Sequence, residues 1–169
     1  MERDLGVQID TDLKFREHAS AAVAKATQIL AVIWRSFALL DETTLPVLFK
    51  SLVGPHLEYG NLVWGPFNRE DQRLIERVQR RAMRLVKHLR PKPYEERLRC
   101  LNLPSMYHRR RRGDMIATYQ LLRGGIDVEE SAFLKLTDSS TRGHPWKLQK
   151  GAPSRGGLRS VSECLQGKT

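Results

Sequence analysis

The stretch "NREDQRLIERVQRRAMRLVKHLRP", residues 68–91, decides the reading of the fold. At about 100° per residue, Leu74, Ile75, Val78, Ala82, Leu85, Val86 and Leu89 share an arc of roughly a third of the helical circle. Arg73, Arg77, Arg80, Arg84 and Lys87 fall on the other side as one cationic row. One face therefore wants a core, and the other wants an anion or open water. Asn68 with Asp71 three residues later is a capping pair: the amide accepts a backbone N–H that the first turn leaves free, and the carboxylate complements the positive helix end. Pro91 and Pro93 predict where the helix stops.

Charge is concentrated around this segment. Residues 69–112 hold 15 Lys and Arg against 5 Asp and Glu, whereas the rest of the chain is balanced at 14 against 14. The whole net charge of +10 thus lies in about a quarter of the sequence. A basic row alone is also what a solvated helix face looks like. The second block, His108 followed by Arg109, Arg110, Arg111 and Arg112, tips the reading toward a polyanion, because clustered arginine is the electrostatic footprint of phosphate binding.

A chain of 169 residues and 19.4 kDa has material for one domain and a tail. No apolar run approaches the roughly 18 to 20 residues that span a bilayer. The start "MERDLGVQID" lacks a signal-peptide core and is too acidic for a mitochondrial presequence, so an intracellular protein, nuclear or cytoplasmic, is expected. Cys100 and Cys164 stand 64 positions apart with no second ligand at metal spacing, and the five histidines are scattered. That spacing argues against zinc and against a disulfide framework, and no cofactor is expected.

Around the basic helix the pattern is helical almost throughout. Leu5, Val7 and Ile9 alternate with Gly6 and Gln8 as one short strand, which must pair with something outside the chain or be a ragged end. Asp10 makes a turn and Asp12 stands where a helix cap belongs. Residues 15–40 carry Ala22, Val23, Ala26, Ile29, Leu30, Ile33 and Phe37 at three and four spacing, with alanines that let a second helix come close. Asp41 caps another helix with Pro46 in its first turn, and Gly54-Pro55 is expected to break or kink it. Tyr59 and Trp64 offer a stacking platform for bases, but they read better as core aromatics together with Leu74, Val78 and Leu85. Beyond the prolines come a short helical turn at 94–100 and a last helix capped by Ser105. Met115, Ile116, Tyr119 and Leu122 should form its apolar side, and Gly124-Gly125 its end.

The expected architecture is all-α: a bundle of about four to five helices over residues 13–125, a strand within residues 1–12, and a poorly ordered tail over 126–169. No phosphate-binding glycine loop, Ser/His/Asp order or partnered nucleophilic cysteine is present in the sequence. The residues alone thus predict a binding surface and no chemistry.

The segments "LGVQIDTDLKFREHASAAVAKA", "LVGPHLEYGNLVWGP", "IERVQRRAMRLV" and "LNLPSMYHRRRRGDMIATYQLLRGG" occur in that order. Together they resemble the part of a non-LTR (LINE-type, jockey-like) retrotransposon reverse transcriptase that follows its catalytic palm. The resemblance covers about residues 4–126. It implies that the Leu5–Ile9 strand is the edge of the palm, and that the following helices are the thumb that clamps template and primer. The family's catalytic aspartates belong to a Tyr- or Phe-Ala-Asp-Asp motif upstream of that strand, which this sequence does not contain. Polymerase activity and the Mg bound by the palm are therefore not expected of this chain. What carries over is a nucleic-acid-contacting bundle, with RNA, DNA or an RNA–DNA hybrid as partner, the missing palm as a further one, and no membrane. The expected contacts are Arg73, Arg77, Arg80, Arg84, Lys87, Arg109, Arg110, Arg111 and Arg112. The competing expectation is a structural or protein-interaction fragment whose charges keep it soluble or meet an acidic protein. A helix-turn-helix reader fits less well, because prolines separate the two basic blocks.

Overall fold

In a computed structural model of the protein, the described residues are 2–12, 14–65 and 68–124. They are mostly helical, with one two-stranded antiparallel sheet. They fall into two units divided between Arg110 and Arg111. The tail expected over 126–169 lies outside the described residues.

The N-terminal strand has a partner within the chain, against expectation. β1 (Glu2–Asp4) pairs with β2 (Val7–Ile9), Asp4 opposite Val7 and Glu2 opposite Ile9. Leu5 and Gly6 form the two-residue turn between them, with φ of 43° and 85°. Positive φ at both central positions suits the right-handed twist of a tight hairpin. Glycine adopts it freely, whereas Leu5 does so at a steric cost. The Tyr59 hydroxyl holds the turn in place by donating to the Leu5 carbonyl at 2.7 Å.

α1 (Arg16–Ser36) starts one residue later and ends four earlier than its pattern predicted. Its cap position is Phe15, left-handed at φ 53° and buried, whereas Asp12 only pairs with the Lys14 ammonium at 3.1 Å. Asp10 makes the expected turn by accepting the Lys14 N–H at 2.8 Å. Ala19, Ala22 and Ala26 are buried, so the Gly54–Glu58 and Arg69–Met83 helices pack closely on this face, while Ala21 and Ala24 point outward.

Asp41 caps the next segment as expected: its Oδ1 accepts the Thr44 N–H at 2.6 Å and the Thr43 N–H at 3.0 Å. Those bonds hold its carboxyl well below the usual range. Pro46 lies in the first turn of α2 (Thr44–Leu48) and is buried. Gly54-Pro55 does not break the helix. The backbone widens into a π-helical turn over Phe49–Val53, with the Gly54 N–H reaching the Phe49 carbonyl, and continues as α3 (Gly54–Glu58). The wide turn tolerates Pro55, which has no N–H to give to a regular ladder. It also solves a phase problem. Leu45, Phe49, Val53 and Leu57 are all buried at intervals of four, a spacing that would drift about 120° around a regular helix.

After α3 the chain doubles back through Gly60, whose φ is 65°. A Cβ there would sit 3.2 Å from Val7 Cγ2 and 3.3 Å from Trp64 Cδ1. Gly60→Ala is expected to destabilise the protein by about 1–3 kcal/mol, from the left-handed backbone and the overlap together. The shift in urea midpoint measures it, and an unchanged midpoint would mean that the hairpin and Trp64 yield freely.

α4 (Arg69–Met83), a 3₁₀ turn at Lys87–Leu89, α5 (Tyr94–Cys100) and α6 (Met106–Leu122) complete the order. One core joins Val7, the alanine face of α1, Phe49, Leu57, Trp64, Ile75 and Val78. A second joins Leu45, Met83, Val86, Leu89, Leu101 and Leu103. Among the described residues, no helix is long and apolar enough to cross a membrane.

Candidate nucleic-acid interface

α4 positions the site. Asn68 accepts the Glu70 N–H through its side-chain oxygen at 3.3 Å, which starts the helix as its sequence predicts. Its partner Asp71 is buried instead of solvated, with Arg16 Nε 3.8 Å away. Ile75, Val78, Gln79, Ala82 and Met83 are buried on one arc, and Arg69, Arg73, Arg77, Arg80 and Arg81 are exposed on the opposite one. Leu74 and Leu85 are half-buried at the flank, and Leu85 packs against both cores.

The helix is shorter than the pattern implied, which corrects the row at its C-terminal end. Arg84 is the cap residue, and Val86 turns extended at ψ 108°. The break drops Val86 and Leu89 fully into the second core, and Arg90 Nε satisfies the freed Arg84 carbonyl at 2.9 Å. Lys87 is exposed on the 3₁₀ turn, so helical counting does not align it with the arginines of α4.

The exposed arginines differ in their surroundings. Arg73 pairs with Glu70 at 2.7 Å, an exposed bridge that a phosphate can replace at little cost. Arg77 and Arg81 form no ion pair with any described residue. Arg80 lies over the Tyr94 ring, 4.6 Å from its centroid. The Tyr94 hydroxyl donates to Glu76, and burial, with that carboxylate beside it, raises the phenol's pKa well above its usual value. α5 also turns Arg97 inward, 6.0 Å from the Tyr94 centroid, where its Nε and Nη1 meet no partner among the described residues. That charge adds nothing to the exposed row.

The second basic block is where charge counting misleads. Ser105 caps α6 as expected, its hydroxyl accepting the His108 N–H at 3.3 Å. Arg110, one turn after the buried Met106, points inward and is only 7 % exposed. Its Nη1 donates to the Leu57 carbonyl and its Nη2 to the Trp64 carbonyl, each at 3.0 Å, with the guanidinium 4.3 Å over the indole. It is a structural fork and not a phosphate contact. Arg109 is tied to Glu58 through two of its three nitrogens, Nε at 2.5 Å and Nη2 at 3.0 Å, so its charge is largely neutralised. Arg111 and Arg112 belong to the second unit, the first half-buried and the second exposed. In that unit Met115, Ile116 and Tyr119 are exposed and so form no buried side, while Ala117 and Thr118 are buried.

Trp64 is fully buried, as its aromatic character predicts, with its indole N–H donating to the Tyr59 carbonyl. His18 meets it edge-on at 4.5 Å and accepts the Gln8 N–H on Nδ1. Burial lowers the His18 pKa, helped by Arg110 and Arg3, so the ring is neutral at pH 7. Tyr59 is not a core residue. It is 56 % exposed because its ring lies over Gly6 and its hydroxyl serves the hairpin turn.

The exposed aromatic beside the basic face is Tyr107, which the sequence reading passed over. Its backbone N–H donates to Glu76 Oε2 at 3.3 Å, bringing the start of α6 against the flank of α4. No group of three potential metal ligands occurs among the described residues. Compared with models of known protein families, with curated proteins and with solved structures, the chain finds no match.

Proposed function

We propose that this chain is a non-catalytic helical domain that grips nucleic-acid backbone, of the thumb-like kind that its segments resemble in non-LTR reverse transcriptases. The observation that carries the reading is the outward arc of α4, where Arg69, Arg73, Arg77, Arg80 and Arg81 are exposed on a helix whose opposite arc is buried. From Arg73 to Arg84 the row is about 16 Å long, enough to follow four or five phosphates of a stacked strand. Each phosphate neutralised releases counterions and adds affinity without reading sequence. The proposal needs no metal or cofactor, since Mg would belong to a palm and the polymerase aspartate motif is absent from the sequence.

The test is binding of an oligonucleotide between 50 and 200 mM salt. About four contacts give a log–log slope of roughly −2.8 to −3.6, hence a loss of roughly 50- to 150-fold over that range. Binding that ignores salt would remove the backbone reading.

A second reading, a fragment that docks on another protein, is favoured by Trp34, Phe37 and Leu39, which are exposed around the C-terminal end of α1. It predicts association that survives high salt and that RNA does not compete away.

A further inference from the structure

We infer that the basic face is built for unpaired nucleotides, with Tyr107 as the ring on which a base stacks; the inference rests on the backbone-binding reading and specifies its substrate. Tyr107 is 46 % exposed, unlike the buried Trp64 and the half-buried Tyr94. It is also held in place. The Ser105 hydroxyl bonds the His108 Nδ1 at 2.8 Å, and the His108 ring stands edge-on to Tyr107, 5.7 Å between centroids at 83°. A ring fixed before binding loses little freedom when a base covers it.

Its position relative to the charges decides the class of ligand. Glu76 accepts the Tyr107 N–H and, on the α4 wheel, lies about 40° from Arg80 on the side away from Arg77. The carboxylate repels phosphate at that border. A strand therefore settles with its backbone on the arginines and its bases turned toward Tyr107, across Glu76. Single strands can do this at small cost, because every base has a π-face and stacking on an aromatic side chain is sequence-tolerant. A duplex would first have to unstack a paired base.

The experiment measures fluorescence anisotropy with single strands of about 12 nucleotides, as RNA and as DNA, and with a duplex of the same length. Tyr107→Ala should weaken binding to both single strands about 10-fold and leave the duplex within about twofold. Because no charge is removed, its salt slope should match that of the unaltered protein. Tyr107→Phe should retain the affinity. Tyr107→Trp provides a second readout that does not depend on the alanine variant folding: its added indole emission should be quenched by single strands and not by duplex. Equal loss on single strand and duplex, no loss on either, or a Phe variant as weak as Ala would overturn the inference while salt-dependent binding left the basic face intact. No binding by the unaltered protein would overturn both.

Discussion

Replacing Arg110 with methionine is expected to lower stability by about 3 kcal/mol, a larger loss than most single substitutions cause. The Leu57 and Trp64 carbonyls would each lose a charged donor, and a buried unsatisfied acceptor costs about 1–3 kcal/mol. The contact over the buried indole adds up to about 2 kcal/mol when desolvated, while removing a buried charge returns part of its desolvation penalty. Arg110→Lys should recover little, since an ammonium is a point charge and does not fork to two carbonyls in one plane. Arg112→Ala, at an exposed position, should change stability by less than about 0.5 kcal/mol. Urea unfolding distinguishes them. If Arg110→Met moved the midpoint no further than Arg112→Ala, the fork would not be what holds the Leu57 and Trp64 carbonyls together.

The triple substitution Arg77→Glu, Arg80→Glu and Arg84→Glu should reduce oligonucleotide affinity by 100-fold or more at about 100 mM salt, taking roughly 1 kcal/mol for each lost phosphate contact before repulsion is counted. The salt slope should flatten with it. All three side chains are exposed, and glutamate has nearly the helix propensity of arginine, so the helical circular dichroism should be preserved. Loss of the Arg80–Tyr94 stack would lower stability by about 0.5–1 kcal/mol, as expected at an exposed site, and leaves the affinity change to the phosphate contacts. Unchanged affinity would return the row to the status of an ordinary solvated face.

The α4 surface was legible because both of its signals are local: a 3.6-residue period and an asparagine cap. Its end was not, since nothing between Met83 and Pro91 breaks a helix, and the turn there is set by Val86 and Leu89 reaching a core made largely of other segments. The hairpin was half legible. Val7 and Ile9 alternate as a strand should, but "ERD" has no strand character and Leu-Gly is not the Asn-Gly signature of such a turn. The block "HRRRR" misled for a different reason. Summed charge ignores helical phase, and Arg110 lies one turn after Met106, on the stripe that enters the core. That phase was available in the sequence. For Tyr59, nothing local showed that its hydroxyl would be needed 54 residues away.

The wide turn in the middle of the Thr44–Glu58 helix stores one residue more than a regular helix of that length would hold. Without that residue, Leu45, Phe49 and the residues facing them would fall at alternating steps of four and three. The Pro55 ring would then press on the carbonyl four residues before it. The proline therefore depends on the surplus residue, and the dependence runs one way. Deleting the residue alone exposes the proline as a defect, whereas replacing the proline alone leaves a turn that still keeps Leu45, Phe49, Val53 and Leu57 on one buried face. A lineage that altered this segment would be expected to lose the proline before the residue.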